Sequence, residues 1–276
     1  MTLTVGALVL LGMVLVVPLG LRLLATPGFP LLRRLWPAAG AVAGVSLLLP
    51  VGGTAAALTL PYLLLATAAA VLAVHRAVVE RRHVRRAGDA ARELAALTAG
   101  GSLLVAAVSL TSERVGYALL GFDGEVLALT VAHFHYAGFA VALLAGLVLV
   151  RAPGWLAMLG AAAVPAGTVL VAAGHFLGRG TELLGALVLT AGLLAASLAT
   201  VLHVLPARGP ARWLLLASAC TTPLTMALAL WWAVGRLTGL AHPDLALMAV
   251  THGVGNAVGV CLCGLLGWRL LRPAPV

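Results

Sequence analysis

The chain has 276 residues, of which 62% are hydrophobic and only 9% are charged, and its mean hydropathy is +1.12. A soluble domain carries about 25% charged residues, and one of this length could not shield so many apolar side chains from water. The net charge of +9 does not indicate nucleic-acid binding, because every basic residue is Arg and most stand at the ends of apolar runs, as in membrane proteins that face anionic lipid headgroups.

Runs of about 20 apolar residues, the length that a helix needs to cross a bilayer, dominate the sequence. Nine such runs predict an all-α, polytopic transmembrane bundle, with spans at 3–24, 37–53, 55–75, 94–112, 125–150, 154–178, 182–204, 213–235 and 244–268. Almost no loop separates the second run from the third, so eight spans is the alternative count. We expect a single integral membrane domain over residues 1–276, in which 76–93 is a basic linker with a helical segment.

The arginines predict the orientation of these spans. One group of arginines lies in the segments that follow the first, third, fifth and seventh runs and near the C-terminus: Arg33, Arg34, Arg76, Arg81, Arg82, Arg85, Arg86, Arg92, Arg151, Arg208, Arg212, Arg269 and Arg272. The positive-inside rule places this side in the cytoplasm. The N-terminus is then outside and the C-terminus is cytoplasmic.

Four of the eight histidines lie in the parts of three apolar runs that are predicted to be outermost: His133 and His135 in the fifth, His175 in the sixth and His252 in the ninth. The predicted orientation places all four in the outer half of the bilayer, with His133 and His252 each roughly 12 Å below the outer end of their runs. Buried polar groups are costly in a membrane and often mark function, so we expect a shared site. The alternative is that each imidazole only bonds to a neighbouring helix.

Further residues complete the predicted site. Asn256 lies four positions after His252 and therefore shares its helix face. His133 and His135 are about 200° apart on a regular helix and cannot both bind one metal ion. We expect one of them to lie within about 10 Å of His252 across an outward-facing cavity. Its rim carries two carboxylates and a histidine: Glu113, Asp123 and His175.

Imidazoles beside carboxylates suit proton transfer, because histidine titrates near neutral pH. The first hypothesis is therefore an enzyme for cyclisation, isomerisation or hydrolysis of a small lipophilic, isoprenoid-like or polyketide-like molecule. His133 or His135 would be the general acid or base and His252 its counterpart. Asn256 would orient the substrate, while Glu113 or Asp123 would tune the local charge.

Two other hypotheses stay open. Histidine ligation also suits heme, copper, zinc or iron, so the cofactor is either none, or a heme or metal held by members of one set: His133, His135, His175 and His252. In a proton-coupled transporter, the same histidines would be a proton relay, although all eight Asp and Glu residues lie at the ends of the predicted helices or in loops. Membrane lipid is the expected surrounding in every case.

Two strings carry resemblances to known families. The sequence His-Phe-His-Tyr-Ala-Gly-Phe at 133–139 and Thr-His-Gly-Val-Gly-Asn-Ala at 251–257 resemble the YndJ-like family of bacterial integral membrane proteins. This resemblance implies a multi-spanning fold in a bacterial cytoplasmic (inner) membrane. Residues 131–136 are also similar to the heme-ligating helix of heme-copper oxidase subunit I, which implies that His133 and His135 are axial ligands of different hemes. The oxidase's adjacent copper-binding histidines are absent, so oxygen reduction is not expected.

Overall fold

The computed structural model describes residues 2–24, 29–80, 82, 84–205 and 209–271. Over these residues it contains no strand and nine helices, besides a short turn of 3-10 helix at Leu119–Gly121. The helices are α1 (Leu3–Leu21), α2 (Phe29–Ser46), α3 (Gly53–Glu80), α4 (Ala87–Val115), α5 (Gly124–Arg151), α6 (Trp155–Leu177), α7 (Arg179–Val204), α8 (Pro210–Thr238) and α9 (Leu245–Leu270).

All of these helices except α2 are long and apolar enough to cross a membrane. A bilayer core offers no water to satisfy backbone groups, so apolar runs of this length fold as helices. The prediction of an all-α, polytopic membrane fold is confirmed. The orientation of the helices relative to the membrane stays a prediction.

Parts of four helices wind as π-helix instead of α-helix. In the described residues these parts are Gly12–Val16 in α1, Phe134–Ala140 in α5, Thr200–Val204 in α7, and Ala249–Gly253 and Gly255–Leu262 in α9. The π-helix is rare and is found frequently at functional sites. His135, His203 and His252 each lie in one of these parts.

The second helix begins earlier than predicted. The sequence placed Arg33 and Arg34 in a loop before a span at 37–53, whereas α2 already starts at Phe29 and includes both arginines. The Arg33 side chain donates hydrogen bonds to the backbone oxygens of Leu21, at 2.8 Å, and Leu24. Carbonyl groups at the end of a helix lack helical partners. Arg33 therefore stabilises the end of α1 from within α2.

Helix also covers most of the predicted 76–93 linker. Residues 76–80 belong to α3 and residues 87–93 to α4. The Asp89 carboxylate accepts hydrogen bonds from the backbone nitrogens of Arg85 and Arg86 at 3.2 and 3.1 Å, close to the start of α4. Three arginines that were predicted to lie in loops or near the C-terminus fall outside the described part of the chain: Arg81, Arg208 and Arg272.

The described residues divide into two compact units. Those within Met1–Arg81 and Leu97–Ala140 form the first unit, and those within Arg82–Ala96 and Val141–Ala274 form the second. In the first unit, α1 packs on α2 and on the beginning of α5, and α2 packs along α3. In the second unit, α7 packs on α6 and α8, and α8 packs on α9.

The most extensive packing in the second unit joins α6 to α7. Glycines recur at intervals of seven residues along this interface: Gly160, Gly167 and Gly174 on α6, and Gly185 and Gly192 on α7. A Cβ atom on Gly167 would lie only 2.5 Å from the backbone nitrogen of Leu189. Small residues let the backbones of two membrane helices approach closely, and the glycines make this close packing of α6 on α7 sterically feasible.

Candidate functional site

The predicted site residues fall in both units. The first unit contains Glu113, Asp123, His133 and His135, and the second contains His175, His252 and Asn256. The expected approach of His133 or His135 to His252 therefore joins residues of two units, and it stays a prediction.

His135 lies fully buried in the π-helical part of α5. A hydrogen bond of 2.5 Å joins its Nε2 atom to the hydroxyl oxygen of Tyr62 in α3. Its Nδ1 atom has no hydrogen-bond partner among the described residues, and it faces Gly12 of α1, where a Cβ atom would lie 2.8 Å away. Protein therefore occupies the space beside both ring nitrogens, so in this conformation neither one can reach a substrate or a metal ion.

Aromatic residues enclose this buried hydrogen bond. The ring of Tyr62 packs edge-on against Trp36 of α2, with 5.2 Å between ring centroids, and both side chains are fully buried. The adjacent Tyr136 donates a hydrogen bond of 2.7 Å to the backbone oxygen of Leu8 in α1. The π-helical part of α5 is thus tied to α3 and α1 by two tyrosine hydroxyls.

His133 is the last residue before the π-helical part of α5 and is only half-buried. Its ring packs edge-on against Phe134, with 6.1 Å between centroids. The backbone geometry therefore gives the two neighbouring histidines different surroundings. His135 lies in the core of the first unit, whereas His133 keeps part of its surface accessible.

The two predicted rim carboxylates both have structural partners. Glu113 is buried in an ion pair with Arg114, which also donates hydrogen bonds to the backbone oxygens of Ser46 and Leu49 at 3.2 and 3.3 Å. Asp123 caps the N-terminus of α5 by accepting hydrogen bonds of 3.1 Å from two successive backbone nitrogens, those of Glu125 and Val126. Glu113 thus has a structural role in a buried ion pair, and Asp123 has one as a helix cap.

In the second unit, His175 is exposed in the last turn of α6. Its Nδ1 atom lies 3.1 Å from the backbone oxygen of Val171, one turn earlier on the same helix. A carbonyl group can only accept a hydrogen bond, so Nδ1 carries the proton here. This contact is local to α6 and involves no residue of α8 or α9.

His252 lies half-buried where α9 packs on α8. Its Nδ1 atom is 2.9 Å from the backbone oxygen of Thr225 in α8. Because the carbonyl oxygen can only accept, Nδ1 carries the proton and Nε2 carries the lone pair in the neutral ring. The contact thereby fixes both the tautomer and the direction of the imidazole.

Asn256 lies against the same imidazole. Its Nδ2 atom is 3.0 Å from Nε2 and 3.4 Å from Nδ1 of His252. Two such similar distances place the amide nitrogen over the face of the ring, because a donor in line with the Nε2 lone pair would be much farther from Nδ1. The amide oxygen accepts a hydrogen bond of 3.0 Å from the Thr225 hydroxyl. His252, Asn256 and Thr225 thus form one connected polar cluster.

Glycines bring α9 close enough to α8 for these bonds to form. A Cβ atom on Gly255 would lie 2.7 Å from the Thr225 methyl carbon, and one on Gly259 would lie 2.6 Å from that of Thr221. Larger residues at either position would push the helices apart. The glycines that follow His252 therefore have a packing role.

Tyr62 and Thr225 were not identified from the sequence. Tyr62 directly follows Pro61 in an apolar run, and Thr225 comes one turn after the polar pair Thr221 and Thr222. Neither position stood out as part of the predicted site. The partner of His252 is moreover a backbone oxygen, which every residue possesses, so no residue type could have marked it.

Within the described part of the chain, no cluster of three metal-binding side chains is formed, and a cavity in the second unit is small. Over the described residues, no group of three or more His, Cys, Asp or Glu side chains is placed to hold a metal ion. A cavity of about 40 Å³ lies in the second unit, and its mostly apolar lining includes Leu144, Leu193, Val260 and Trp268 but none of the predicted site residues. Pockets that enclose small ligands have volumes of about 300–1,000 Å³.

Comparison with known proteins adds one positive result. The model of the YndJ-like protein family matches residues 7–260, which is nearly the whole chain. No curated protein and no solved structure matches it. The matched region begins within α1 and ends within α9, so it includes seven helices in full and most of the other two. It contains both the buried bond of His135 to Tyr62 and the cluster of His252. The chain therefore belongs to the YndJ-like family.

Proposed function

We propose that this chain is a membrane-embedded enzyme that performs acid–base chemistry on a lipophilic molecule, with His252 as the general base. The reaction class is proton transfer leading to cyclisation, isomerisation or hydrolysis. We further propose that it acts in a bacterial cytoplasmic membrane. The proposal depends on the second unit alone and does not require His133 or His135 to approach His252.

The observation that supports it best is the hydrogen bond from Nδ1 of His252 to the Thr225 carbonyl. A general base needs a partner that orients it and a lone pair that a substrate can reach. The Thr225 carbonyl supplies the orientation, and the Asn256 amide lies over the ring instead of in line with Nε2. His252 is also only half-buried. His135, by contrast, is fully buried, and protein lies beside both of its ring nitrogens.

The surroundings of His252 favour a lipophilic substrate. The residue lies in α9, a helix apolar enough to cross a bilayer, so molecules dissolved in the hydrocarbon could approach it laterally. Neighbouring residues of α9 expose apolar side chains, including Val250, Val254 and Val258. A water-soluble substrate would lose its hydration before reaching this depth.

A lipid comparison in cells tests the proposal. A strain that lacks the chain is complemented with the wild type, with His252→Gln or with an empty vector, and lipid extracts are compared by mass spectrometry at equal amounts of protein. We expect at least one lipid-soluble species to change with the wild type and to stay at the vector level with His252→Gln. His203→Gln is the matched control, because His203 also lies in a π-helical part but is exposed.

Three results would overturn this assignment. Wild-type lipid composition with His252→Gln would remove His252 from the chemistry. A Soret band or stoichiometric metal in the purified wild type, lost in His252→Gln, would favour the heme or metal alternative. Uptake of an unaltered molecule that depends on His252 would instead favour the proton-coupled transporter.

A further inference from the structure

We propose that Thr225 is a positioning residue, which keeps His252 in its neutral, proton-accepting form by fixing the direction of the Asn256 amide. This inference rests on the proposed function and extends it to a residue that does not touch the substrate. It requires only the contacts between α8 and α9 described above.

Thr225 acts on His252 through two different atoms. Its backbone oxygen accepts the Nδ1 proton at 2.9 Å and so leaves the lone pair on Nε2. Its side-chain hydroxyl lies 3.0 Å from Oδ1 of Asn256. An oxygen held by a donor cannot turn away without losing that bond, so the hydroxyl directs the other end of the amide, Nδ2, towards the imidazole.

The direction of the amide affects the two charge states of His252 differently. An N–H group over the face of a neutral imidazole makes a weak favourable contact with the ring electrons. The same group over an imidazolium places two positive partial charges together, which is unfavourable where the dielectric constant is low. The observed amide orientation therefore favours the neutral base.

The Thr225 hydroxyl has a second possible acceptor, which allows the Asn256 amide to point the other way. Its oxygen is also 3.1 Å from the backbone oxygen of Thr222. If the hydroxyl donates to Thr222, its own oxygen becomes an acceptor for Nδ2 of Asn256. The amide can then reverse and place Oδ1 over the ring, where it stabilises an imidazolium. His252 can thus gain and release a proton while its Nδ1–H stays bonded to Thr225 and the Asn256 amide stays hydrogen-bonded to the Thr225 hydroxyl.

Nitrogen-15 NMR of histidine-labelled, full-length protein in lipid nanodiscs tests this arrangement without any substrate. The signal of His252 is identified by its loss in His252→Gln. At pH 7 we expect a neutral ring with the proton on Nδ1 in the wild type. Thr225→Val should raise the charged fraction about twofold or more, because the amide is no longer held. Thr225→Ser, which keeps the hydroxyl, should restore the wild-type value.

Thr221→Val is the matched control. Thr221 lies one turn earlier on α8, faces Gly259 and donates its hydroxyl to the backbone oxygen of Ala217 at 2.8 Å. Its removal should leave the charged fraction unchanged. A charged fraction in Thr225→Val equal to that of the wild type, or an equal rise in Thr221→Val, would overturn the inference.

Asn256→Asp covers the case in which Thr225→Val does not fold. It keeps an oxygen for the Thr225 hydroxyl but replaces Nδ2 with a second oxygen, so we expect His252 to be mostly charged, and a neutral ring would contradict the inference.

These spectra are independent of the lipid assay. If they agree with expectation while His252→Gln keeps wild-type lipids, the proposed function fails but the positioning role of Thr225 stands. If the spectra contradict expectation while His252→Gln loses the lipid change, only the positioning role of Thr225 is rejected.

Discussion

His135 and His252 are bonded in ways that assign them different tasks. Both ring nitrogens of His135 face protein, one at Tyr62 and the other at Gly12. His252 is held at Nδ1 by a carbonyl oxygen and is contacted over its face by Asn256, and the residue is only half-buried. A polar group that is buried and fully enclosed contributes through packing and hydrogen bonding. We therefore assign a structural role to His135 and reserve the chemical role for His252.

The bond between Tyr62 and His135 leads to a stability prediction. Tyr62→Phe removes the hydroxyl and leaves a buried imidazole without its partner, which costs about 1–3 kcal/mol. We expect a lower melting temperature for the purified variant in detergent. Tyr117→Phe is the control, because the side chain of Tyr117 is 62% exposed. Equal melting of the two variants would show that the bond does not stabilise the first unit.

At the residue scale, the sequence predicted part of this picture. The spacing of His252 and Asn256 indicated one shared face, and the two residues lie in contact. The sequence could not show that Asp123 caps a helix or that Glu113 pairs with its own neighbour, because both residue types also suit a catalytic rim. It placed His133 and His135 on opposite sides of a regular helix, and the two residues lie in different surroundings, but it could not show that the helix continues as π-helix from Phe134.

At the scale of single helices, apolar length predicted where helices form better than where they end. The start of α2 was misplaced because Arg33 and Arg34 resemble loop residues, although Arg33 binds the open carbonyls of α1. Similarly, α3 and α4 extend into the basic linker because charged residues are good helix formers once a helix has begun. Polar sequence alone does not end a helix.

The glycine repeat between α6 and α7 gives a prediction for one pair of helices. Gly167→Ala should destabilise the second unit, because its Cβ atom would lie 2.5 Å from the backbone nitrogen of Leu189. Gly101→Ala in α4 is a matched control, since no atom lies within 4 Å of its added Cβ. Alanine in a helix is otherwise favoured over glycine by about 1 kcal/mol. Melting curves should therefore show a loss at residue 167 and no loss at residue 101.

For the molecule as a whole, the number of membrane crossings depends on whether α2 crosses. This helix has 18 residues and is about 27 Å long at 1.5 Å per residue, close to the thickness of a bilayer core. It fails the criterion of apolarity that the other eight helices meet. Its two arginines lie near its beginning, where a membrane helix meets the headgroups and arginine is tolerated.

We therefore expect α2 to cross the membrane, which makes nine crossings and places the chain termini on opposite sides. Reporter domains fused at the N-terminus and at the C-terminus should read outside and cytoplasmic, respectively, because the arginines after the odd-numbered spans belong to the inner side. Internal fusions at residues 84–86 and at 116–118, on either side of α4, calibrate the assay and must read cytoplasmic and external. If both termini read cytoplasmic while these controls hold, α2 does not cross and the chain has eight spans. If the internal controls are inverted, the whole orientation is wrong, and His252 lies in the inner half of the bilayer.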